Sequence, residues 1–395
     1  MSSFPAEIIG NFILHINEDT ERIENLLSCS LVSHTWCSFA QPFLYNRVVL
    51  NVRQEEKSLR LVNLLSQSPH IRVYIRRFAI TGLSTSGPPI PTFGALPSLQ
   101  MLKIESYIRR YDFLAHEEGL ASLSSLLGSK CLTTLLLVDI ENFPVQLLRQ
   151  CLALQHLAIR HVTFSMSGLD ADNRWRLPLK SFTISTGYVR APASATINWF
   201  LSPACLFDLS QLETFIGLDR SGTDELYDVH CRFIAHVSSS LKTVLIAPQN
   251  LSSEVGRPNP LVSLEPQRLR NISSITILVT QDPFDGLNTL PWVIALLSGL
   301  PNPETLHDLT LFCDLWDHDQ SDFTFHSKGW KELDVLLIRF HNLERVHVEC
   351  FDETDEQIAK DLVSWLFSQL SASQGRGILS IKCSDHRWYW NNMEI

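Results

Sequence analysis

The chain has 395 residues, of which 45% are hydrophobic and 19% are charged. This composition predicts a large buried core and excludes a globally disordered chain. The formal net charge of −10 disfavours nucleic acid or an anionic membrane as the main partner, because both require a basic surface. At roughly 150 residues per domain, the length suits two or three domains or one elongated repeat array.

The cysteines and the apolar runs indicate the compartment. Nine cysteines, an odd number, are scattered without any C-x-x-C pair, which is typical of reduced, buried thiols. The first residues lack the basic and apolar regions of a signal peptide. No apolar run approaches the ~18 residues of a membrane span. We therefore expect a protein of the cytoplasm, the nucleus or both.

The first fifty residues predict a small helical unit. Pro5 suits the first turn of a helix, where its missing N–H would be unpaired in any case. Apolar residues then follow at helical spacing and form a wide stripe: Ile8, Ile9, Phe12, Ile13 and Ile16. A second short helix carries Leu26 and Leu27, and Ser30 or Ser33 caps a third. Three helices of this size bury little surface alone, so part of their apolar surface must be covered by something else.

Several runs in this segment keep the order and spacing of a known family. They are Phe4-Pro5-Ala6-Glu7-Ile8-Ile9, Leu26-Leu27-Ser28-Cys29-Ser30-Leu31-Val32-Ser33, Trp36, Phe43-Leu44-Tyr45 and Val48-Val49-Leu50. The segment resembles an F-box of the kind common in mushroom-forming fungi, with Phe4 where that family usually has Leu. The alternative is an ordinary three-helix cap on the following domain.

The F-box resemblance implies binding to the Skp-type linker subunit of a cullin-RING ubiquitin ligase. The residues expected to form the linker-binding surface, or to support it, are Pro5, Ile8, Ile9, Phe12, Leu26, Leu27, Leu31, Val32 and Trp36. If the Trp36 ring were fully buried, Trp36→Ala would cost about 3–5 kcal/mol.

An internal repeat fills the rest of the chain. The pattern apolar-x-x-apolar-x-apolar occurs eleven times, on average about thirty residues apart, and helical patterns lie between many of its copies. Its first positions are Ile75, Leu99, Leu132, Leu154, Leu179, Leu212, Leu241, Ile272, Leu306, Leu343 and Ile378. The pattern resembles long, irregular leucine-rich repeats, and it is weakest where Gly217 and Cys383 occupy the last position. The alternative is a different α/β fold with ordinary buried strands.

These patterns predict an α/β protein with three parts. Residues 1–50 form the F-box, 51–70 a connecting helix, and 71–395 the repeat domain. In the repeat domain we expect a curved parallel sheet with one strand per repeat and the helices outside. The first, fourth and sixth positions of each repeat should be buried, because no repeat can bury its apolar face alone.

The third, fifth and seventh positions of each repeat should point away from the core, because side chains alternate between the two faces of a strand. On a solenoid that face is the usual binding surface. Its centre is small and weakly polar, and its ends carry charge, so we expect a partner to dock a small or apolar element there. The residues predicted to bind the substrate are Met101, Lys103, Arg160, Leu245, Phe312, Arg345 and His347. The alternative is that the protein's own loops cover these strands.

Catalytic motifs are missing from the sequence. There is no G-x-S-x-G, P-loop, G-x-G-x-x-G or H-E-x-x-H. The acidic run Cys313-Asp314 to Asp322 fits neither an EF-hand nor a zinc site and is read as a solvated loop. Cys29 and Cys37 flank His34 inside a helical segment, and the aromatic tail 386–390 is read as a cap on the last repeat. We therefore expect no enzyme activity, cofactor or metal.

Taken together, the two resemblances imply a substrate-recognition adaptor of an SCF-type (Skp/cullin/F-box) E3 ubiquitin ligase. The F-box would bind the linker, and through it the cullin-RING ligase, and the repeat domain would capture a protein substrate. Two alternatives stay open. One is a leucine-rich-repeat scaffold for protein–protein interaction without a role in ubiquitin ligation, and the other is an enzyme of unrecognised class.

Overall fold

A computed structural model describes most of the chain. The described residues are 5–17, 22–84, 89–92, 94–107, 111–113, 118–166, 176–186, 193–219, 224–246, 264–282, 287–315, 327–351 and 356–384. The chain divides into two compact units, Met1–Leu177 and Pro178–Ile395, called here the first unit and the second unit. Each combines helices with a mainly parallel sheet, so the fold is mixed α/β. The predicted domain limits at residues 50 and 70 stay a prediction.

The first unit begins with three helices and adds further helices between its strands. They are α1 (Ala6–Asn17), α2 (Arg22–Ser30), α3 (His34–Leu44), α4 (Glu55–Gln67), α5 (Glu118–Leu127) and α6 (Val145–Leu148), with a 3-10 helix at Pro69–Tyr74. Ser33 caps α3, since its hydroxyl accepts a hydrogen bond from the backbone N–H of Trp36 at 3.4 Å. Of the two serines proposed from the sequence, Ser33 is therefore the cap.

The strands of the first unit form one main sheet and two short pairs. They are β1 (Arg47–Asn51), β2 (Arg77–Leu83), β3 (Met101–Ser106), β4 (Tyr111–Asp112), β5 (Thr134–Val138), β6 (Ile140–Glu141), β7 (Phe143–Pro144), β8 (His156–Arg160) and β9 (Phe164–Ser165). The main sheet has the order β1-β2-β3-β5-β8 with parallel neighbours, and β4 pairs with β6 and β7 with β9. The first strand of the sheet therefore comes directly after the three helices.

Side chains of the main sheet alternate between a buried face and a second face. On β3, Leu102 and Ile104 are fully buried, whereas Met101 and Lys103 are partly exposed. This alternation follows from the two-residue period of a strand. The buried face lies towards the core, and the other is called here the outer face.

The second unit continues the same plan. Its helices are α7 (Ala193–Phe200), α8 (Asp224–Val237), α9 (Leu290–Ser298), α10 (Ser327–Leu337), α11 (Glu356–Gln369) and α12 (Ser371–Gly375), with 3-10 helices at Pro266–Arg268 and Pro303–Thr305. Its strands are β11 (Ser181–Thr186), β12 (Phe207–Asp208), β13 (Thr214–Asp219), β14 (Thr243–Ile246), β15 (Ser274–Asp282), β16 (Leu287–Asn288), β17 (Asp308–Leu315), β18 (Arg345–Phe351) and β19 (Leu379–Ser384). A two-residue strand, β10 (Leu177–Pro178), lies at the boundary between the units.

The main strands of the second unit follow one another in chain order. The order is β11-β13-β14-β15-β17-β18-β19, and every neighbouring pair in it is parallel. The sheet is not purely parallel as predicted, because β16 returns along β15 as a short antiparallel strand, with Gln281 opposite Asn288. A parallel sheet with one strand per repeat is otherwise confirmed.

The apolar positions of the repeats are buried as predicted in ten of the eleven copies. In the last copy Ile378, Ile381 and Cys383 are only partly buried, although β19 is present. The copy at Leu212 is complete, and Gly217 is buried in its last apolar position. A Cβ at Gly217 would come within 3.0 Å of the Phe215 ring, so packing against that ring favours glycine here.

Candidate functional site

The three N-terminal helices share a small core. Its buried members, all at most 8% exposed, are Ile9, Ile13, Leu26, Cys29 and Ala40. Partly buried side chains pack around them, among them Trp36, whose ring meets the Phe12 ring edge-on at a centroid distance of 5.5 Å. The core therefore uses only the inner half of the wide apolar stripes.

The outer half of those stripes is exposed. The exposed apolar side chains of this segment, called here the helical patch, are Ile8 (54%), Phe12 (51%), Leu14 (52%), Ile23 (59%), Leu27 (50%), Leu31 (87%) and Val32 (65%). Ile8 and Phe12 are four residues apart on α1, and Ile23 and Leu27 are four apart on α2, so each pair shares one helix face. Such a group on a small unit is typical of a protein-binding surface.

The structure sorts the nine predicted linker-binding residues by their exposure. Ile8, Phe12, Leu27, Leu31 and Val32 belong to the helical patch, and Pro5 is exposed beside it at the start of α1. Ile9 and Leu26 are core residues and can only support the surface. Trp36 is partly buried, so the condition for a cost of about 3–5 kcal/mol on its truncation is not met, and we expect a smaller cost.

In the first unit, predicted substrate-binding residues lie on the outer face of the sheet. Met101, Lys103 and Arg160 are all partly exposed there. Glu105 lies between the two cations, with its carboxylate 3.2 Å from Lys103 Nζ and 3.6 Å from Arg160 Nη2. Strand alternation predicted that these side chains share one face, but not that both cations contact the Glu105 carboxylate.

Two arginines on the same face were not among the predicted binding residues, although Arg77 occupies the outward third position of the first copy. Arg47 on β1 and Arg77 on β2 are paired in register with each other, and Arg77 is paired with Met101 on β3. Both arginines are exposed. The repeat pattern begins at Ile75 and so leaves β1 out of the sheet. The alternation of Val48 and Leu50 with exposed neighbours is the signal that could have placed Arg47 on the outer face.

In the second unit, the centre of the outer face is more buried than predicted. Leu245 is only 7% exposed and clusters with Leu218 and Leu278, and Phe312 packs against them. These side chains come from neighbouring strands, whose ~4.8 Å spacing allows large apolar groups to cover one another. At Leu245 the centre is therefore apolar and nearly buried, whereas a small and weakly polar centre was expected. Whether Leu245 or Phe312 binds a partner stays a prediction.

The late predicted residues contact carboxylates of the same face. Arg345 Nη2 lies 2.8 Å from Asp308 Oδ1, and its Nε donates to the same oxygen at 2.9 Å. His347 Nε2 lies 3.3 Å from Glu349 Oε2, with both side chains largely buried. A partner that binds Arg345 must compete with Asp308, which makes Arg345 a weaker anchor than its exposure suggests.

A polar cleft of about 590 Å³ lies where strands of the second unit begin. Its walls include Lys180, Glu213, Lys242 and Asn271. Lys242 Nζ donates to Glu213 Oε1 at 2.8 Å, and this hydrogen bond lowers the pKa of the Glu213 carboxyl, with Lys242 and Lys180 adding favourable charge. Lys180, Glu213 and Lys242 occupy the second position of three consecutive copies of the repeat, which the pattern leaves unspecified, and for that reason the sequence did not reveal the cleft.

Among the described residues no group of three or more His, Cys, Asp or Glu side chains could hold a metal ion. Burial raises the pKa of the Cys29 thiol, which opposes a nucleophilic role for this cysteine. The acidic loop beyond Leu315 and the aromatic tail lie outside the described residues.

The cysteines are free, and most are buried as predicted. Cys29, Cys151, Cys205, Cys231, Cys313 and Cys350 are buried, Cys37 and Cys383 are partly buried, and Cys131 is exposed. None of the described helices is long and apolar enough to cross a membrane.

Comparisons with known proteins give little that identifies the chain. No protein-family model matches it, and no curated protein is significantly similar in sequence. Among solved structures, an internalin from Listeria monocytogenes is similar with a TM-score of 0.31 and 13% identity over 78% of this chain and 67% of the internalin chain. A TM-score this low does not define a shared fold. The strand order and the burial pattern define a repeat protein with a mainly parallel sheet.

Proposed function

We propose that this protein is the substrate-recognition adaptor of an SCF-type E3 ubiquitin ligase. In this proposal the three N-terminal helices are an F-box that binds a Skp-type linker subunit. The repeat sheet captures a protein substrate. The proposal rests on the resemblance of the first fifty residues to an F-box and on the exposure of the helical patch.

The helical patch is the observation that carries the proposal. Seven large apolar side chains of this segment are at least half exposed, although the three helices have a buried core of their own. Full burial of one such side chain is worth about 1.5–3 kcal/mol. Leaving several of them in water is costly unless a partner covers them, and a Skp-type linker is the partner that the resemblance implies.

The repeat sheet supplies the second half of the proposal. Sequential parallel strands present a row of outward side chains from consecutive repeats, which is the usual binding surface of solenoid proteins. This chain would contribute proximity and not covalent chemistry. It would hold a substrate lysine where the partner subunits can transfer ubiquitin to it.

A binding titration tests linker recruitment. The full chain is titrated with a purified Skp-type linker by calorimetry, alongside Leu31→Asp and Val32→Asp. These two positions are 87% and 65% exposed, so a buried charge at the interface should weaken binding at least tenfold while the fold survives. The matched control is Val335→Asp on α10 of the second unit, which is 67% exposed and should bind as the parent does. Absence of binding by the parent chain at micromolar concentration would end the adaptor proposal.

The alternative is an interaction scaffold of the leucine-rich-repeat type without a role in ubiquitin ligation. The sheet by itself favours this alternative, because the outer faces of both units could bind proteins whether or not the helices recruit a linker. Under this alternative the parent chain captures partners from its host but shows no linker in the calorimetric titration.

A further inference from the structure

The outer face of the first unit's sheet is basic in a protein whose net charge is −10. Its charged side chains are four cations and one carboxylate, a net of +3: Arg47, Arg77, Lys103, Arg160 and Glu105. The described charged side chains on the outer face of the second unit are Asp308, Arg345, Glu349 and Lys382, which balance to zero. The excess of positive charge is therefore specific to the first unit.

Arg47 and Arg77 have no compensating carboxylate among the described residues. They lie directly opposite each other on neighbouring parallel strands, about 4.8 Å apart. Like charges in that position destabilise a sheet. Both side chains are exposed, and neither forms an ion pair or side-chain hydrogen bond with any residue in the described part of the chain. Lys103 and Arg160, by contrast, share Glu105. An external anion would relieve the repulsion between the two arginines.

The layout of the face suits an extended peptide. The row through Arg47, Arg77, Met101, Thr134 and His156 crosses five strands in register. Four strand spacings of ~4.8 Å give a width of about 19 Å, which about six residues of extended chain would span. Val49 beside Arg47 is 53% exposed and offers apolar contact. Arginine forks favour bidentate carboxylate contacts.

We propose that the outer face of the first unit binds an acidic, extended peptide segment of a partner protein, with Arg47 and Arg77 as its main carboxylate-binding residues. Lys103 and Arg160 extend the positive surface across the sheet. The alternative polyanion, single-stranded nucleic acid, is disfavoured by the overall charge of −10, which repels a long phosphate backbone. That this peptide belongs to a ubiquitination substrate rests on the proposed function, whereas the binding itself does not.

Fluorescence anisotropy with the full chain tests this proposal. The probes are labelled hexaglutamate, hexaglutamine, hexalysine and a heptathymidylate with six phosphates. We expect only hexaglutamate to bind well, with affinity falling as salt rises from 50 to 300 mM because exposed charges are screened. Absence of hexaglutamate binding up to millimolar concentration at 50 mM salt would overturn the proposal, and so would tighter binding of the oligonucleotide than of the peptide.

Variants locate the site on the sheet. R47E/R77E should weaken hexaglutamate binding at least tenfold, and R47K/R77K should retain most of it. The control R270E/R339E reverses two exposed arginines of the second unit and makes the same change in net charge, so it should bind within about twofold of the parent. Equal losses in R47E/R77E and in the control would show a non-specific charge effect and overturn the assignment to this face.

Linker binding separates this proposal from the proposed function. R47E/R77E should bind the Skp-type linker as the parent does, and Leu31→Asp should bind hexaglutamate as the parent does. Peptide binding without any linker binding would leave this inference standing and refute the adaptor function. Linker binding without peptide binding would refute this inference and leave the adaptor function standing.

Discussion

Two adjacent leucines of α2 separate fold stability from partner binding. Leu26 is fully buried in the core of the three helices, whereas Leu27 is 50% exposed. Leu26→Ala should lower the free energy of unfolding by about 2–5 kcal/mol, because it leaves a cavity. Leu27→Ala removes about three carbon groups, each worth about 0.8 kcal/mol when fully buried, or about 2.4 kcal/mol in all. Because the Leu27 side chain is half exposed in the free protein, only about half of this energy contributes to folding.

The structure therefore divides the effect of Leu27→Ala between two measurements. We expect a loss of about 1.2 kcal/mol in unfolding free energy and, if the linker covers the exposed half, about 1.2 kcal/mol in binding, which is close to eightfold in Kd. Urea unfolding followed by circular dichroism gives the first quantity, and calorimetry with the linker gives the second. Unchanged linker affinity for Leu27→Ala would remove α2 from the interface, and a destabilisation as large as that of Leu26→Ala would refute the packing described here.

Other outcomes follow from buried groups. Asp334 accepts hydrogen bonds from the backbone N–H groups of Ala372 and Ser373 at 2.7 and 2.9 Å and from the Ser373 hydroxyl at 2.7 Å, so Asp334→Ala should destabilise the second unit by about 3–5 kcal/mol in urea unfolding. Iodoacetamide at pH 8 should alkylate exposed Cys131 in the native protein and spare buried Cys151, and mass spectrometry of the peptides would reveal any reversal. Burial raises the pKa of Cys151 from its usual value near 9 to about 12, so the folded state holds the thiol proton more tightly than the unfolded state does. The free energy of unfolding should therefore be unaffected below about pH 9 and decrease towards pH 12. In Cys151→Ala this decrease should be shallower.

The strands of the repeat were predictable because one property, the spacing of apolar residues, determines where they lie. Within one copy, apolar residues two positions apart must be buried together, as in Leu135 with Leu137 or Leu309 with Leu311. A strand places such residues on one face, while the residues between them face the other way. Even the copy weakened by Gly217 forms its strand, because neighbouring strands on both sides supply the pairing. The helix α7 is harder to predict, because its apolar residues are mixed with small ones and lack a clear period.

The outer face was harder to predict because its properties arise between strands. The apolar cluster of Leu218, Leu245 and Leu278 joins residues about thirty positions apart, and each looks like an isolated leucine in the sequence. The pairing of Arg345 with Asp308 likewise depends on register. Arg47 and Arg77 are neighbours because β1 pairs with β2, and β1 is not part of any copy of the repeat pattern.

The partial exposure of the last repeat has a consequence for how the second unit opens. Ile378, Leu379 and Ile381 are partly exposed, whereas Leu343, Val346 and Val348 in the preceding copy are at most 2% exposed. In a stack of nearest-neighbour repeats, a copy that buries less apolar surface has less interface energy to lose and opens sooner. Amide hydrogens that join β18 to β19, such as the Val346 N–H bonded to the Ile378 carbonyl at 2.8 Å, should therefore exchange with deuterium sooner than those between β14 and β15. A protease acting on the native protein would then cut within this repeat sooner than within the copies that bury their apolar side chains fully.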